Sequence, residues 1–194
     1  RWVHLEGVFH SSGTDVQLSL ALEYQRFEAV DAEYLALTRR AARDPRLLEL
    51  AAEGGGATAL RDQLDRMRSQ LGRVQAALAS FLETQREAFP RFYFLPDDDL
   101  LEVLGGGRLP AAAQRHLRSL FGGIAAVGIG DDESGGDGSS AQIISVSSVE
   151  GEQLQLLAAV DTAEASSAHG WLSQLDGGVR EALSGGLRAA IAAA

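Results

Sequence analysis

Apolar residues recur along the first two-thirds of the chain at helical spacing. From Phe27 they fall at Phe27, Val30, Tyr34, Leu37 and Ala41, the three-four rhythm of one helix face. Asp44-Pro45 ends that helix, because a residue before proline is pushed out of the α region. A short helix is expected over Arg46–Ala52, stopped by Gly54-Gly55-Gly56. The next run is the most regular: Leu60, Leu64, Met67, Leu71, Val74, Leu78 and Phe81 alternate steps of four and three. This is an a/d seam, and it predicts a helix from about Thr58 to Phe89 with Thr58 as N-cap. At 1.5 Å per residue such a helix is about 50 Å long.

Phe89-Pro90-Arg91-Phe92-Tyr93-Phe94-Leu95-Pro96 cannot continue that helix, since two prolines bracket it. The alternation of Phe92 and Phe94 around Tyr93 predicts a short extended stretch. Asp97-Asp98-Asp99 ahead of Leu100-Leu101-Glu102-Val103-Leu104 reads as the acidic first turn of a new helix, closed by Gly105-Gly106-Gly107. Pro110 is placed to start another, ending near Phe121. Beyond Gly122-Gly123 the pattern changes. Ile124–Ile129, Gln142–Val149 and Gln153–Val160 are β-rich, joined by a Gly/Ser/Asp loop over Asp131–Ser140 and a tight turn at Glu150-Gly151-Glu152. A final helix over about Ala168–Ala192 turns Trp171, Leu172, Leu175, Val179, Leu183 and Leu187 inward, with Gly177-Gly178 and Gly185-Gly186 weakening it. The predicted class is mainly α: an elongated helical bundle with a long central helix and a small antiparallel β-sheet near the C-terminal third. Residues 1–121 form a helical subdomain, and residues 122–194 form the sheet plus the last helix, packed on the same rod.

Composition narrows function mostly by exclusion. All 17 basic residues are Arg. Without Lys, neither a Walker A phosphate loop nor a Schiff base is available. Without Cys there are no disulfides, thiolate nucleophiles or thiolate metal sites. A net charge of −10 argues against a nucleic-acid partner, and Arg39, Arg40, Arg43 and Arg46 read as a solvated helix face. No apolar run is long enough for membrane insertion as a spanning helix. The opening at Arg1-Trp2 reads as an internal segment of a longer chain.

Candidate chemistry is sparse. Asp97–Asp99 point in different directions on an incipient helix and read as capping. The Asp131, Asp132, Glu133 and Asp137 loop lacks an EF-hand register. His4, His10, His116 and His169 stand singly, without the i, i+4 partner of a zinc helix. No catalytic, cofactor or metal residues are assigned. The Leu60–Phe81 seam has two readings: packing against its own neighbours, or recruiting a partner helix.

Trp2-Val3-His4-Leu5-Glu6-Gly7-Val8-Phe9 resembles the opening of the linker region of dynein heavy chains. Asp15-Val16 through Glu23 and Arg26-Phe27 follow that region's spacing of acid, apolar residue, glutamate and Arg-Phe. The most specific match is Phe89-Pro90-Arg91-Phe92-Tyr93-Phe94 followed by Asp98-Asp99-Leu100-Leu101-Glu102-Val103-Leu104-Gly105. Leu120-Phe121, the Glu150-Gly151-Glu152 turn and Trp171-Leu172 come in the family's order. Trp2–Phe9, Glu33–Leu37 and Leu71–Leu82 look most like the cytoplasmic dynein heavy chain, while axonemal heavy chains share most of the core motifs. Ala21 stands where the family often has proline, which would let a helix run through, and the Asp131–Ser140 loop is long.

The resemblance implies a force-transmitting segment of a microtubule motor, in which a linker bends and straightens across a ring of AAA+ modules as the ring hydrolyses ATP. It implies no cofactor in this segment, since ATP and Mg belong to the parent's ring. The implied partners are the AAA+ ring of the same heavy chain and, through the parent, dynein subunits and microtubules. The implied location is the cytoplasm and cytoskeleton, or a ciliary axoneme. The signature or docking candidates are Phe89, Pro90, Arg91, Phe92, Tyr93, Phe94, Asp99, Leu100, Leu101, Glu102 and Trp171. Gly54–Gly56 and Gly105–Gly107 are candidate pivots.

Overall fold

The computed structural model describes residues 2–11, 14–46, 55–105, 111–130, 142–162 and 168–193. The expected helix at Arg46–Ala52 and the loop at Asp131–Ser140 therefore lie outside the described residues, wholly or nearly so, as do Gly54, Gly106, Gly107 and Pro110. The chain falls into two compact units, Arg1–Phe81 and Leu82–Ala194. It is mainly α, with a small three-stranded antiparallel sheet towards its C-terminal end.

The first unit holds α1 (Trp2–Ser11), α2 (Thr14–Ser19), α3 (Ala21–Arg43) and most of α4 (Ala57–Ala88). Helices α1 and α3 pack antiparallel. Trp2 meets Tyr34 at 4.8 Å between ring centroids and donates its indole N–H to Asp31, while Phe9 meets Phe27 at 5.3 Å. The absence of proline at Ala21 does not fuse α2 with α3. Leu20 leaves the helical region (φ −117°, ψ 38°), although its amide still bonds Val16 and its carbonyl accepts from Tyr24. As expected, α3 ends before Pro45, with Asp44 extended.

Helix α4 begins one residue before Thr58. The Gly56 carbonyl accepts the first helical bond, from Leu60, so Thr58 lies inside the helix and is not its N-cap. Gly55 and Gly56 take φ of +91° and +101°, a region that favours glycine, which is why the chain can turn abruptly there. The seam is largely buried: Leu60, Met67, Leu71, Val74 and Leu78 are all inside. Leu64 is 43% exposed, and after Leu78 the next inward residue is Leu82 in place of Phe81. A straight helix has 3.6 residues per turn, so a strict seven-residue seam drifts by about 20° per heptad and its edges rotate out.

The second unit contains a 3-10 turn (Pro90–Phe94), α5 (Asp97–Gly105), α6 (Ala111–Phe121), β1 (Ile124–Gly130), β2 (Gln142–Ser148), β3 (Gln153–Asp161) and α7 (Ala168–Ala193). The strands form a meander in the order β1-β2-β3. Val127 pairs with Val146, and Ile143 with Val160, placing four branched side chains in the core. Gly151 makes the β2–β3 turn at φ +89°. Helix α7 packs on β3 and is continuous through both glycine pairs. Only its first half is anchored. Trp171, Leu172, Leu175 and Ala182 are buried, whereas Leu183 and Leu187, expected inward, are 57% and 63% exposed. Leu183 stands at the cleft lined by Val146 and Leu154 of the sheet, and the stripe beyond it stays exposed among the described residues.

Candidate functional site

The signature segment is organised by a change of helical period. Pro90 fixes its own φ and forces Phe89 into an extended conformation (φ −137°, ψ 94°), which ends α4 at Ala88. The amide of Phe92 then donates to the carbonyl of Phe89 at 2.9 Å, and that of Leu95 to Phe92 at 3.1 Å. The segment is thus a 3-10 turn and not the short extended stretch its alternating aromatics suggested. With three residues per turn, side chains at i and i+3 eclipse. Phe89, Phe92 and Leu95 therefore share one face and are all buried, while Tyr93 and Phe94 are 55% and 68% exposed. Phe89 and Phe92 meet edge to face at 5.0 Å.

Polar groups fasten this corner on three sides. Arg86, near the end of α4, donates to the Leu95 carbonyl and to Asp97 at 2.6 Å, tying the helix to the first turn of α5. Tyr93 donates its hydroxyl to Glu83 at 2.6 Å, and that bond to a carboxylate raises the phenol's pKa. Arg91 reaches furthest. It donates to the Leu120 carbonyl at the end of α6 (3.1 Å) and to Asp176 on α7 (2.8 Å), with its guanidinium 4.8 Å from the Phe121 ring centroid. The second oxygen of Asp176 takes Arg180 at 2.9 Å. Arg91, Phe121, Ile124, Val146, Asp176 and Arg180 lie around a cleft of about 580 Å³ whose ionic edge is satisfied internally.

Leu100 and Leu101 of α5 are buried, as is Trp171 of α7. The indole N–H of Trp171 has no hydrogen-bond partner among the described residues. Asp99 and Glu102, one turn apart, share a face of α5 and meet His116 of α6. The imidazole Nε2 is 3.0 Å from Glu102 and Nδ1 is 3.7 Å from Asp99, and Arg115 pairs with the other oxygen of Glu102. The hydrogen bond with His116 is the main reason the Glu102 carboxyl is held below its ordinary value, with the Arg115 charge adding to it and partial burial opposing it. Asp99, Glu102 and His116 bring three possible ligand atoms within 4.8 Å, but every one of them already faces a charged or polar partner.

The signature candidates therefore divide. Phe89, Phe92, Leu100, Leu101 and Trp171 are core; Pro90, Tyr93 and Phe94 are at the surface; Arg91, Asp99 and Glu102 are half-buried connectors. Sequence reasoning missed Arg86, Arg115, Asp176 and Arg180, and set His116 aside as a lone histidine. The i, i+4 spacing of Asp176 and Arg180 was the one local signal available; the other partners are separated by loops or whole elements. No helix among the described residues is long and apolar enough to cross a membrane.

Residues 1–190 match the family described as "Dynein heavy chain, N-terminal region 2". The chain is 33% identical over 191 residues (98% of its length) to the cytoplasmic dynein heavy chain of Drosophila melanogaster. It is 34% identical over 183 residues (94%) to that of Dictyostelium discoideum, and 37% identical over 183 residues (94%) to the cytoplasmic dynein 2 heavy chain 1 of Caenorhabditis elegans. The match covers about 4% of the length of each of these relatives.

Proposed function

The chain belongs to the dynein heavy chain family, and on that premise we propose that it is a force-transmitting segment of the linker. The observation that carries the reading is the Phe89–Gly105 segment, built as a fixed corner: one aromatic face is buried, and Arg86 and Arg91 span to neighbouring elements. A tightly packed element passes displacement on without compressing. Helix α4, about 48 Å long at 1.5 Å per residue, supplies a continuous member of the same kind.

In this reading the segment performs no catalysis and binds no cofactor. ATP and Mg²⁺ act in the AAA+ ring of the parent chain, against which the linker docks, and the parent engages dynein subunits and microtubules. The cytoplasm and its cytoskeleton are the expected location, in keeping with the names of the relatives; a ciliary axoneme is the variant for an axonemal or dynein 2-like parent. The alternative, a module recruiting a partner helix through Leu60–Phe81, is disfavoured because most of that seam is buried within the single chain.

The test is uncoupling. Phe92→Ala in the intact heavy chain should leave microtubule-stimulated ATP turnover largely in place while gliding velocity drops severalfold. Equal loss of both, or loss of neither in a chain shown to be destabilised, would contradict the proposal.

A further inference from the structure

We propose that the cleft between α7 and the sheet, with the apolar stripe that runs out of it along α7, is the docking groove for an acidic amphipathic helix supplied by another part of the same heavy chain. The cleft, about 580 Å³, has an apolar floor that includes Ile124, Val146, Leu154 and Val179, and Leu183 stands at its edge. Leu187 and Ile191 follow Leu183 at four-residue steps and are 63% and 70% exposed. Val179, Leu183, Leu187 and Ile191 thus form one i, i+4 row, about 18 Å long at 1.5 Å per residue. Such a row is the ridge that one helix sets into the groove of another. A compact ligand would fill the cleft and leave the row bare; a second helix covers both.

Charge selects which helix. From Gly177 to Ala193 the charged residues are Arg180, Glu181 and Arg188. Arg180 lies three residues before Leu183, and Arg188 three before Ile191, so each neighbours the apolar row. Glu181 is two residues from both Val179 and Leu183 and does not face it. At the cleft, Arg91 and Arg180 share the one carboxylate of Asp176, and the trio keeps a net positive charge. Arg180 is oriented by that pairing at 2.9 Å and is still 73% exposed. Arg188 is exposed as well. The other acid at the cleft, Glu152, precedes β3 at the β2–β3 turn, so the occupant's carboxylates fall on the helix side.

Self-pairing is disfavoured by the same flank, because two copies joined through this row would set arginines against arginines. The chain as a whole carries a net charge of −10, so a positive flank beside an apolar ridge is a local exception. The parent heavy chain is the source because the match covers about 4% of each relative. A segment tethered to this one is present at far higher effective concentration than a free partner. The contact rests on the chain being part of a longer heavy chain, and not on its moving against a ring.

The test is photo-cross-linking in the purified intact heavy chain, with a photoreactive amino acid in place of Leu187. The cross-link should map to heavy-chain residues outside 1–194, in a segment with apolar residues at three- and four-residue steps flanked by Asp or Glu. Arg180→Glu with Arg188→Glu should lower its yield severalfold, and Arg180→Lys with Arg188→Lys should keep it. A cross-link to residues 1–194 of either copy, to another polypeptide, or to a segment without carboxylates overturns the proposal. So does a position 187 that cross-links to nothing in a motor that hydrolyses ATP, or a yield that ignores the charge reversal. The readout is a contact and not a movement, so a motor whose linker never moves would still show it.

Discussion

The buried stripe of α4 and the corner that follows it are both apolar, and they obey different rules. Along α4, Met67, Leu71, Val74 and Leu78 repeat one job at one spacing, so no single residue defines the helix. From Phe89 to Phe94 the task changes from one residue to the next. Phe92 is fully buried, Phe94 two positions later is mostly exposed, and Arg91 just before them fixes three neighbours. The stripe is redundant, and small errors of register are absorbed at its edges, as at Leu64 and Phe81. The corner is not redundant, and its period changes from 3.6 to 3.0 over five residues.

That contrast can be broken most directly at the aromatics. Phe92→Ala should cost about 3–5 kcal/mol in urea unfolding, whereas Phe94→Ala should stay within about 0.5 kcal/mol. Equal losses would mean that the 3-10 turn does not sort the rings as described. In the stripe, Leu78→Ala should cost about 2–5 kcal/mol, the lower end if neighbouring side chains close the gap. Leu64→Ala should stay below about 1 kcal/mol because its side chain is already in solvent.

Arg91→Met keeps the bulk and removes the charge, leaving the Leu120 carbonyl short of a donor and Asp176 with Arg180 alone. A loss of about 1–3 kcal/mol is expected, and a double-mutant cycle with Asp176→Asn should show coupling between the two sites. The smallest effect concerns Glu102. Its carboxyl sits below its ordinary value of 4.5, so its stabilising contribution is complete above that value and is lost as pH falls through the lowered one. The stability gap between wild type and Glu102→Gln should therefore be open at pH 6 and close in acid. A gap that widens below pH 4 would reverse the assigned sign.

The regular parts of the fold were legible because periodicity is local. The span of α4, the end of α3 at Asp44, the acidic start of α5 and the meander around Gly151 all follow from spacing and turn chemistry within a few residues. What was missed depends on distance in sequence or on a change of period. Phe89, Phe92 and Leu95 are spaced by three, but Phe92-Tyr93-Phe94 also alternates by two, and only the hydrogen bonds decide between the two patterns. Leu183 and Leu187 continue the apolar face of α7, yet both remain exposed, which a helix pattern cannot reveal. At the corner, the resemblance pointed to Arg91, Asp99 and Glu102 but not to their partners, because Asp176 and His116 arrive from other elements.

The central claim, that this segment moves against a motor ring and carries force, is tested by distance. With a donor fluorophore at exposed Arg68 on α4 and an acceptor in the AAA+ ring of the intact heavy chain, energy transfer should switch between two levels as the ring passes between nucleotide states. A single level through the whole ATP cycle, in a motor that still hydrolyses ATP and moves microtubules, would contradict the account.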